Sequence, residues 1–167
     1  MIIFGFYEGR IMRILVISDS HGRTSAIERA IEAQPEAKHI FFLGDCVRDI
    51  EDYEFVYPDR IFHIVSGNCD YASMIKSVDA VTIQGVRILF THGHPFSVKS
   101  GLVRLYEAAK QNGAQLVLFG HTHVSKTEYS DGIYFVNPGS LSHGEGGPSY
   151  AVVDIEASGI LPIIIRI

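Results

Sequence analysis

Polar residues able to bind a metal ion recur where apolar segments of this sequence end. The segment ends read "SDSHG", "LGD", "SGNCD", "THGH" and "GHTH". Any one of these residues could be an ordinary loop residue or a turn cap. Seven of them at five segment ends instead indicate a metal site, because ligands of open α/β sheets bind at the carboxyl ends of strands. The candidate ligands are Asp19, His21, Asp45, Asn68, His92, His121 and His123.

The spacing of two residue pairs lets both members of each pair face one object. Asp19 precedes His21 by two residues, and His121 precedes His123 by two residues. Residues i and i+2 of a strand entering a loop point the same way. Carboxylate, amide and imidazole donors suit Mn, Fe, Zn or Ni better than a structural zinc of the cysteine type. Seven protein ligands exceed the needs of one open catalytic ion, which favours two divalent ions sharing a bridging carboxylate.

Alternating strands and helices are predicted to position these residues. Apolar runs predict strands at residues 13–18, 39–45, 61–68 and 115–119, and two strands around a turn at Gln84 and Gly85. Helices are predicted over residues 24–33, with Thr24 or Ser25 as N-cap, and over residues 98–111. After His123, four further strands are expected to be antiparallel. The pattern predicts one α/β domain with two sheets.

Composition limits the class of protein. A chain of 167 residues fits one domain, and no apolar run approaches the ~20 residues that span a bilayer. The formal net charge of −5, without a Lys/Arg block, argues against general nucleic-acid binding. Two cysteines are too few for a disulfide framework, and no secretory signal is visible, so a cytoplasmic protein is expected. Residues 1–11 are interpreted as an extension of uncertain order, and residues 12–167 as the domain.

The ordered motifs "DSH", "GD", "GNCD", "HGH" and "GHTH", followed by "NPGS" at residues 137–140, resemble the calcineurin-like metallophosphoesterase superfamily. They are most similar to its small bacterial and archaeal phosphodiesterase branch, over residues 13 to about 141. The resemblance implies an α/β four-layer sandwich, with two mixed β-sheets packed face to face and helices outside. It also implies two ligand sets with Asp45 bridging them: Asp19, His21 and His123 for one ion, and Asn68, His92 and His121 for the other.

The function implied by the resemblance is metal-dependent hydrolysis of a phosphate ester. A small phosphodiester is favoured over a monoester, with attack by a hydroxide held between two ions. Mn²⁺ is the expected cofactor, and Ni, Zn or Fe are alternatives. No membrane partner is expected, and exposed late strand edges favour a homodimer. The alternative from another class is a metal-binding scaffold or protein-interaction module on the same fold.

Cys69 departs from the family pattern. Many relatives have a histidine after the asparagine, where it is proposed to protonate the leaving oxygen, whereas a thiol is a weak substitute. Cys69 is therefore either a small packing residue or a catalytic thiol. We expect a preference for good leaving groups or another acid, with Asp70 and His94 the nearest candidates. Two further interpretations are weaker: Arg23 and Arg48 as phosphate contacts, and His63 as a packed strand residue.

Overall fold

Two five-stranded sheets carry the segment ends described above. The computed structural model describes residues 11–167, so the expected extension lies outside the described residues apart from Ile11. The first sheet has the order β10-β9-β1-β2-β3, and the second has the order β4-β5-β6-β8-β7. The strands are β1 (Met12–Ile17), β2 (His39–Phe42), β3 (Ile61–Ile64), β4 (Val78–Ile83), β5 (Val86–Thr91), β6 (Leu116–Phe119), β7 (Lys126–Ser130), β8 (Ile133–Asn137), β9 (Ser149–Glu156) and β10 (Gly159–Arg166).

Each sheet contains three neighbouring parallel strands, at one side of the first sheet and in the centre of the second. β1, β2 and β3 are parallel in the first sheet, and β5, β6 and β8 are parallel in the second. The remaining strands pair antiparallel at the edges: β9 and β10 in the first sheet, β4 and β7 in the second. Because parallel strands end at the same edge of a sheet, the loops after β1, β2, β3, β5 and β6 are gathered together.

Helices cover the outer face of each sheet. They are α1 (Thr24–Glu32), α2 (Tyr53–Val56) and α3 (Val103–Gln111). α1 buries Ala26, Ile27, Ala30 and Ile31, which share one helical face, against the outer side of the first sheet. α3 buries Leu105 and Ala109 against the second sheet, and a third apolar cluster lies between the sheets. The predicted four-layer sandwich is therefore confirmed.

Two local predictions are corrected. Val98–Ser100 is a short 3₁₀ turn and α3 begins only at Val103, because Gly101 has φ +132°, which a helix does not accept. Thr24 lies inside α1, whose N-cap is Arg23 without a side-chain hydrogen bond. The late strands pair antiparallel with one another as expected, β7 with β8 and β9 with β10, but β8 also pairs parallel with β6. Within residues 11–167, no helix combines the length and apolar character needed to cross a bilayer.

Candidate metal centre

The seven candidate ligands converge in the space above the carboxyl ends of the parallel strands. Asp19 and His21 lie in the loop after β1, Asp45 after β2 and Asn68 after β3. His92 follows β5 directly, and His121 and His123 follow β6. Asp19 and His92 are fully buried, whereas the side chains of His21 and His123 are about one third exposed at 29% and 34%. The cluster therefore has a buried floor and an open upper side.

One group of donors surrounds Asp19. Suitable donor atoms of Asp19, His21, Asp45 and His123 all lie within 4.8 Å of one another. His123 Nε2 is 3.0 Å from Asp19 Oδ1 and 3.4 Å from His21 Nε2. The predicted first ligand set is thus brought together in space.

A second group of donors surrounds His92. Its Nε2 lies 3.1 Å from Asn68 Oδ1 and 3.1 Å from His121 Nδ1. His92 Nδ1 lies 2.7 Å from the Leu43 carbonyl oxygen, and a carbonyl only accepts, so Nδ1 carries the proton. The opposite nitrogen, Nε2, is then free to act as a metal ligand facing Asn68 and His121.

Asp45 lies between the two groups. Its Oδ2 is 3.8 Å from His21 Nε2 in the first group, and its Oδ1 is 3.5 Å from His92 Nε2 in the second. The Cys69 backbone N–H donates a 2.9 Å hydrogen bond to Oδ1 and fixes the carboxylate. Each oxygen of one carboxylate therefore faces a different group of donors.

The charge states of the histidines differ across the cluster. Burial, together with the neighbouring His92 and Lys99, lowers the pKa of His121 to about 4, which leaves its ring neutral at neutral pH. Hydrogen bonding to Asp19 raises the pKa of His123 above its ordinary value. Burial alone would raise the pKa of Asp19, but hydrogen bonding to His123 and the proximity of His92 outweigh it and hold that pKa low. The donor set thus includes an ionised carboxylate and a neutral imidazole.

The donor geometry fits divalent ions. Two ligands placed about 2.1 Å from an ion at 90–109° are about 3.0–3.4 Å apart, which matches the closest spacings in both groups. Asp19 Oδ1 is buried, and within the described part of the chain it has only the 3.0 Å contact with His123 Nε2 and no further hydrogen bond. A buried carboxylate oxygen with so few partners is costly unless a cation neutralises it.

Glycines allow the ligand loops to approach closely. A Cβ added to Gly67 would lie 2.2 Å from Asp45 Oδ1, and one added to Gly120 would lie 2.2 Å from Ser18 Oγ. Gly44 has φ +93°, and an added Cβ would lie 2.4 Å from the Gly67 nitrogen. The "LGD", "SGN" and "FGH" glycines are thus required by the contact between neighbouring loops.

Asp70, one of the two candidate proton donors, accepts hydrogen bonds from four backbone N–H groups. Its Oδ1 accepts hydrogen bonds from the N–H groups of Cys46 and Val47, at 2.9 and 2.8 Å. Its Oδ2 accepts from Asp45 and Gly67, at 3.0 and 2.7 Å. A proton on either oxygen would face two backbone donors, so this carboxylate acts as an acceptor only.

The other predicted residues differ in their relation to the cluster. Cys69 is exposed as a residue, but partial desolvation of its thiol, together with the neighbouring Asp45, raises the pKa of the thiol to about 11. The His94 ring lies 5.4 Å from that of His92 and 6.1 Å from that of His121, measured between centroids. Its Nδ1 is buried and has no hydrogen-bond partner among the described residues. Arg23 and Arg48 are exposed.

Sequence reasoning missed Asp49. Its Oδ2 accepts 2.7 Å hydrogen bonds from Ser20 Oγ and from the Gly22 N–H, on either side of His21. Its position four residues after Asp45 is the one sequence signal, and a loop aspartate there has many alternative roles.

Known proteins are similar to this chain over most of its length. The family profile of the calcineurin-like phosphoesterase superfamily domain matches residues 12–158. The probable metallophosphoesterase YsnB of Bacillus subtilis is 33% identical over 149 residues, covering 87% of this chain and 85% of that protein. Phosphodiesterase YfcE of Escherichia coli K12 is 28% identical over 177 residues, covering 91% and 92%.

Solved structures match over the same length. The crystal structure of a predicted phosphoesterase from Streptococcus pneumoniae TIGR4 has a TM-score of 0.81 at 26% identity, covering 94% of this chain and 90% of that one. Vacuolar Protein Sorting 29 from Cryptosporidium parvum has a TM-score of 0.77 at 18% identity, covering 94% and 92%, which shows a shared fold alone. Since the family profile spans nearly the whole chain and includes every residue of the cluster, the chain belongs to the calcineurin-like phosphoesterase superfamily.

Proposed function

We propose that this protein is a phosphodiesterase with two divalent metal ions, and that Asp45 bridges them. The observation that carries the proposal is the position of Asp45, whose two oxygens face different groups of donors at 3.8 and 3.5 Å. Asp19, His21 and His123 would hold one ion, and Asn68, His92 and His121 the other. Mn²⁺ is the first candidate metal, because carboxylate, amide and imidazole donors suit it.

The residues of the chain would divide the work of hydrolysis. When bound, two divalent ions supply Lewis-acid stabilisation of the phosphoryl group and a water of lowered pKa. The Leu43 carbonyl holds His92 in the tautomer that exposes Nε2, and the Cys69 N–H orients Asp45. Cys69 is exposed next to Asp45, and the His94 ring lies 5.4 Å from that of His92, so these two side chains are the candidates to contact the leaving group. No side chain of the cluster is needed as a nucleophile.

A small phosphodiester is the substrate class that fits best. The relative YfcE is named as a phosphodiesterase, and 91% of this chain aligns with it. The net charge of −5 and the absence of a Lys/Arg block provide no general attraction for a nucleic-acid polymer. Attraction of an anion would therefore be local and would come from the metal centre.

The decisive experiment compares a diester with the matching monoester. Metal-stripped protein reloaded with Mn²⁺, Ni²⁺, Zn²⁺ or Mg²⁺ is assayed with bis(p-nitrophenyl) phosphate and with p-nitrophenyl phosphate. We expect metal-dependent turnover that favours the diester, with two ions bound per chain by elemental analysis. Two bound ions without turnover of either ester would instead support the protein-interaction alternative.

Replacement of Asp45 tests the bridging role. Asp45→Asn keeps the size of the side chain but removes its charge, so we expect loss of at least one ion and a fall in kcat of about 100-fold or more. Asp59→Asn is the matched control, since the Asp59 side chain is 81% exposed, and it should keep both ions and full activity. Unchanged metal content and turnover in Asp45→Asn would contradict the assignment.

A further inference from the structure

Two carboxylates beside the centre belong to neither proposed ligand set, yet they hold the loops that carry the ligands. Asp70 follows Asn68 by two residues, and Asp49 follows Asp45 by four. Both side chains accept hydrogen bonds from the backbone of a different loop. This pattern is expected of groups that orient ligands, because residues behind a metal ligand fix its position.

Asp70 joins the loop after β3 to the loop after β2. Its four hydrogen bonds to backbone N–H groups include three from the consecutive residues Asp45, Cys46 and Val47. In that segment Asp45 has φ +60° and Cys46 has φ +74°, conformations that L residues rarely adopt. The fourth bond, from the Gly67 N–H, fixes the residue that precedes Asn68. Asp70 therefore holds Asp45 and Asn68 in one arrangement.

Asp49 holds the loop after β1 in a similar way. Its Oδ2 accepts from Ser20 Oγ and from the Gly22 N–H, so it binds the residue before His21 and the residue after it. His21 itself has φ +45°, and a free loop would relax from that conformation. Neither of these hydrogen bonds involves Asn68, His92 or His121.

We propose that Asp70 and Asp49 are positioning residues, and that each acts on a different ion of the centre. Asp70 supports the ion held by Asn68, His92 and His121, and Asp49 supports the ion held by Asp19, His21 and His123. This division rests on the proposed two-ion function. Because Asp45 belongs to both ligand sets, loss of Asp70 also weakens binding of the first ion, but less than it weakens binding of the second.

The test measures each ion separately in metal-stripped protein titrated with Co²⁺ by calorimetry and visible absorption. His21→Ala weakens metal binding by the first ligand set, so that binding by the second set can be measured alone. Asn68→Ala weakens the second set and leaves the first to be measured. In the His21→Ala background, we expect Asp70→Asn to lower Co²⁺ affinity by about 10- to 100-fold and Asp49→Asn to change it little. In the Asn68→Ala background, the order of the two effects should reverse.

The chemistry of the substitutions explains the expected size. Asp70→Asn turns one acceptor oxygen into an NH₂ group facing two backbone donors, so two of the four hydrogen bonds are lost. Hydrogen exchange of the Asp45, Cys46 and Val47 amides should speed up in Asp70→Asn and stay unchanged in Asp49→Asn. Asp59→Asn, an exposed control, should alter neither affinity nor exchange.

Milder substitutions replace Asp49→Asn or Asp70→Asn if either of these variants does not fold. Ser20→Ala removes one of the two bonds to Asp49, and Asp70→Ser keeps a single small acceptor, so each should give a weaker form of the same selective loss. Equal losses in both backgrounds, or no loss in either, would overturn the proposal. A parent protein that binds one ion would refute the two-ion function itself, while the exchange measurement would still test the role of Asp70.

Discussion

Five of the seven candidate ligands adopt a backbone conformation that is uncommon for residues other than glycine. Positive φ angles cost of order 1–3 kcal/mol at such positions and persist only where the surrounding structure fixes them. Here the fixing contacts are hydrogen bonds to neighbouring loops, as with the Asp19 N–H to the Gly44 oxygen at 3.0 Å. The strain therefore coincides with the proposed metal ligands: Asp19 (54°), His21 (45°), Asp45 (60°), His121 (70°) and His123 (57°).

The identity of residue 69 is expected to control which leaving groups are accepted. The thiol of Cys69, with its pKa raised to about 11, is a weak proton donor to a departing alkoxide. Cys69→His should raise kcat for diesters with poor leaving groups, by about 10-fold or more, and change p-nitrophenyl diesters little. The slope of log kcat against the leaving-group pKa measures this directly.

Two variants make that measurement specific. Cys69→Ala should keep the parental slope if the thiol is only a packing residue. His94→Gln tests the remaining neighbour, and a steeper slope would identify His94 as the group that assists the leaving oxygen. Failure of Cys69→His to improve poor leaving groups would show that the missing histidine does not limit the reaction.

At the scale of elements, the loops after neighbouring strands form the centre only because they pack against one another at glycines. Gly44 and Gly67 follow β2 and β3, and the added Cβ positions show that neither can carry a side chain without displacing the other loop. Gly120 approaches Ser18, whose hydroxyl donates a 2.5 Å hydrogen bond to Asp19 Oδ2. The "apolar run plus glycine" form of these segments is therefore a packing requirement.

Gly67→Ala should remove metal binding without preventing folding. The new methyl group would lie 2.2 Å from Asp45 Oδ1 and 2.5 Å from the Asp45 backbone nitrogen, so the carboxylate and the loop that carries it must move away from their position between the two groups of donors. We expect the bound metal to fall from two ions per chain to one or fewer, and activity to fall by about 100-fold. Elemental analysis and the diester assay measure both.

Gly113→Ala provides the matched control for that substitution. Gly113 has φ +64° with open space around its Cα, so alanine there costs about 1 kcal/mol of stability through backbone strain alone. The control should lower the urea midpoint while keeping both ions. Similar metal loss in the two variants would mean that general destabilisation, and not the displacement of Asp45, empties the centre.

At the scale of the whole molecule, a histidine pair lies between strands away from the metal ligands. His39 Nδ1 is 2.9 Å from His63 Nε2, and the His63 ring stacks on Phe41 with centroids 4.4 Å apart. The prediction that His63 is a packed strand residue is confirmed. Burial lowers the pKa of His63 to about 4 and also lowers that of His39. Both rings are therefore neutral in the folded protein at neutral pH.

The histidine pair should make the fold sensitive to mild acid. In the unfolded chain His63 binds a proton near its ordinary pKa of 6.5, whereas in the folded protein the pKa of His63 is about 4. This contribution to stability is therefore full above about pH 6.5 and is lost as the pH falls toward 4. His63→Phe should reduce the drop in urea midpoint between about pH 7.5 and pH 5.

That measurement is made with a chelator present, so that metal release does not contribute to the pH dependence. At pH 7.5 the variant should be within about 1 kcal/mol of the parent in stability, because phenylalanine keeps the stacking on Phe41 but loses the hydrogen bond to His39. An identical fall in midpoint for both proteins would mean that other groups cause the acid sensitivity.

The sequence by itself determined the fold class and indicated which polar residues gather at the strand ends. Apolar runs at residues 13–18, 39–45, 61–68 and 115–119 lead into strands because buried parallel strands require continuous apolar segments. The sequence also predicted the turn at Gln84 and Gly85, and both residues have positive φ in the structure. Two pairs at i, i+2 spacing indicated convergence on one site, although all four residues have positive φ in the structure, so the strand geometry behind that expectation does not hold locally.

Only the tertiary structure decided how the centre is supported. The four hydrogen bonds of Asp70 come from two loops, and the three donors in the loop after β2 lie 23 to 25 residues away along the chain. No local pattern distinguishes such a carboxylate from an acid catalyst. Asp49 was missed for the same reason, and the break at Gly101 depends on how the chain leaves the centre before α3. Spacing along the sequence predicts which donors gather at one site, but the packing of separate loops fixes which polar groups are already hydrogen-bonded.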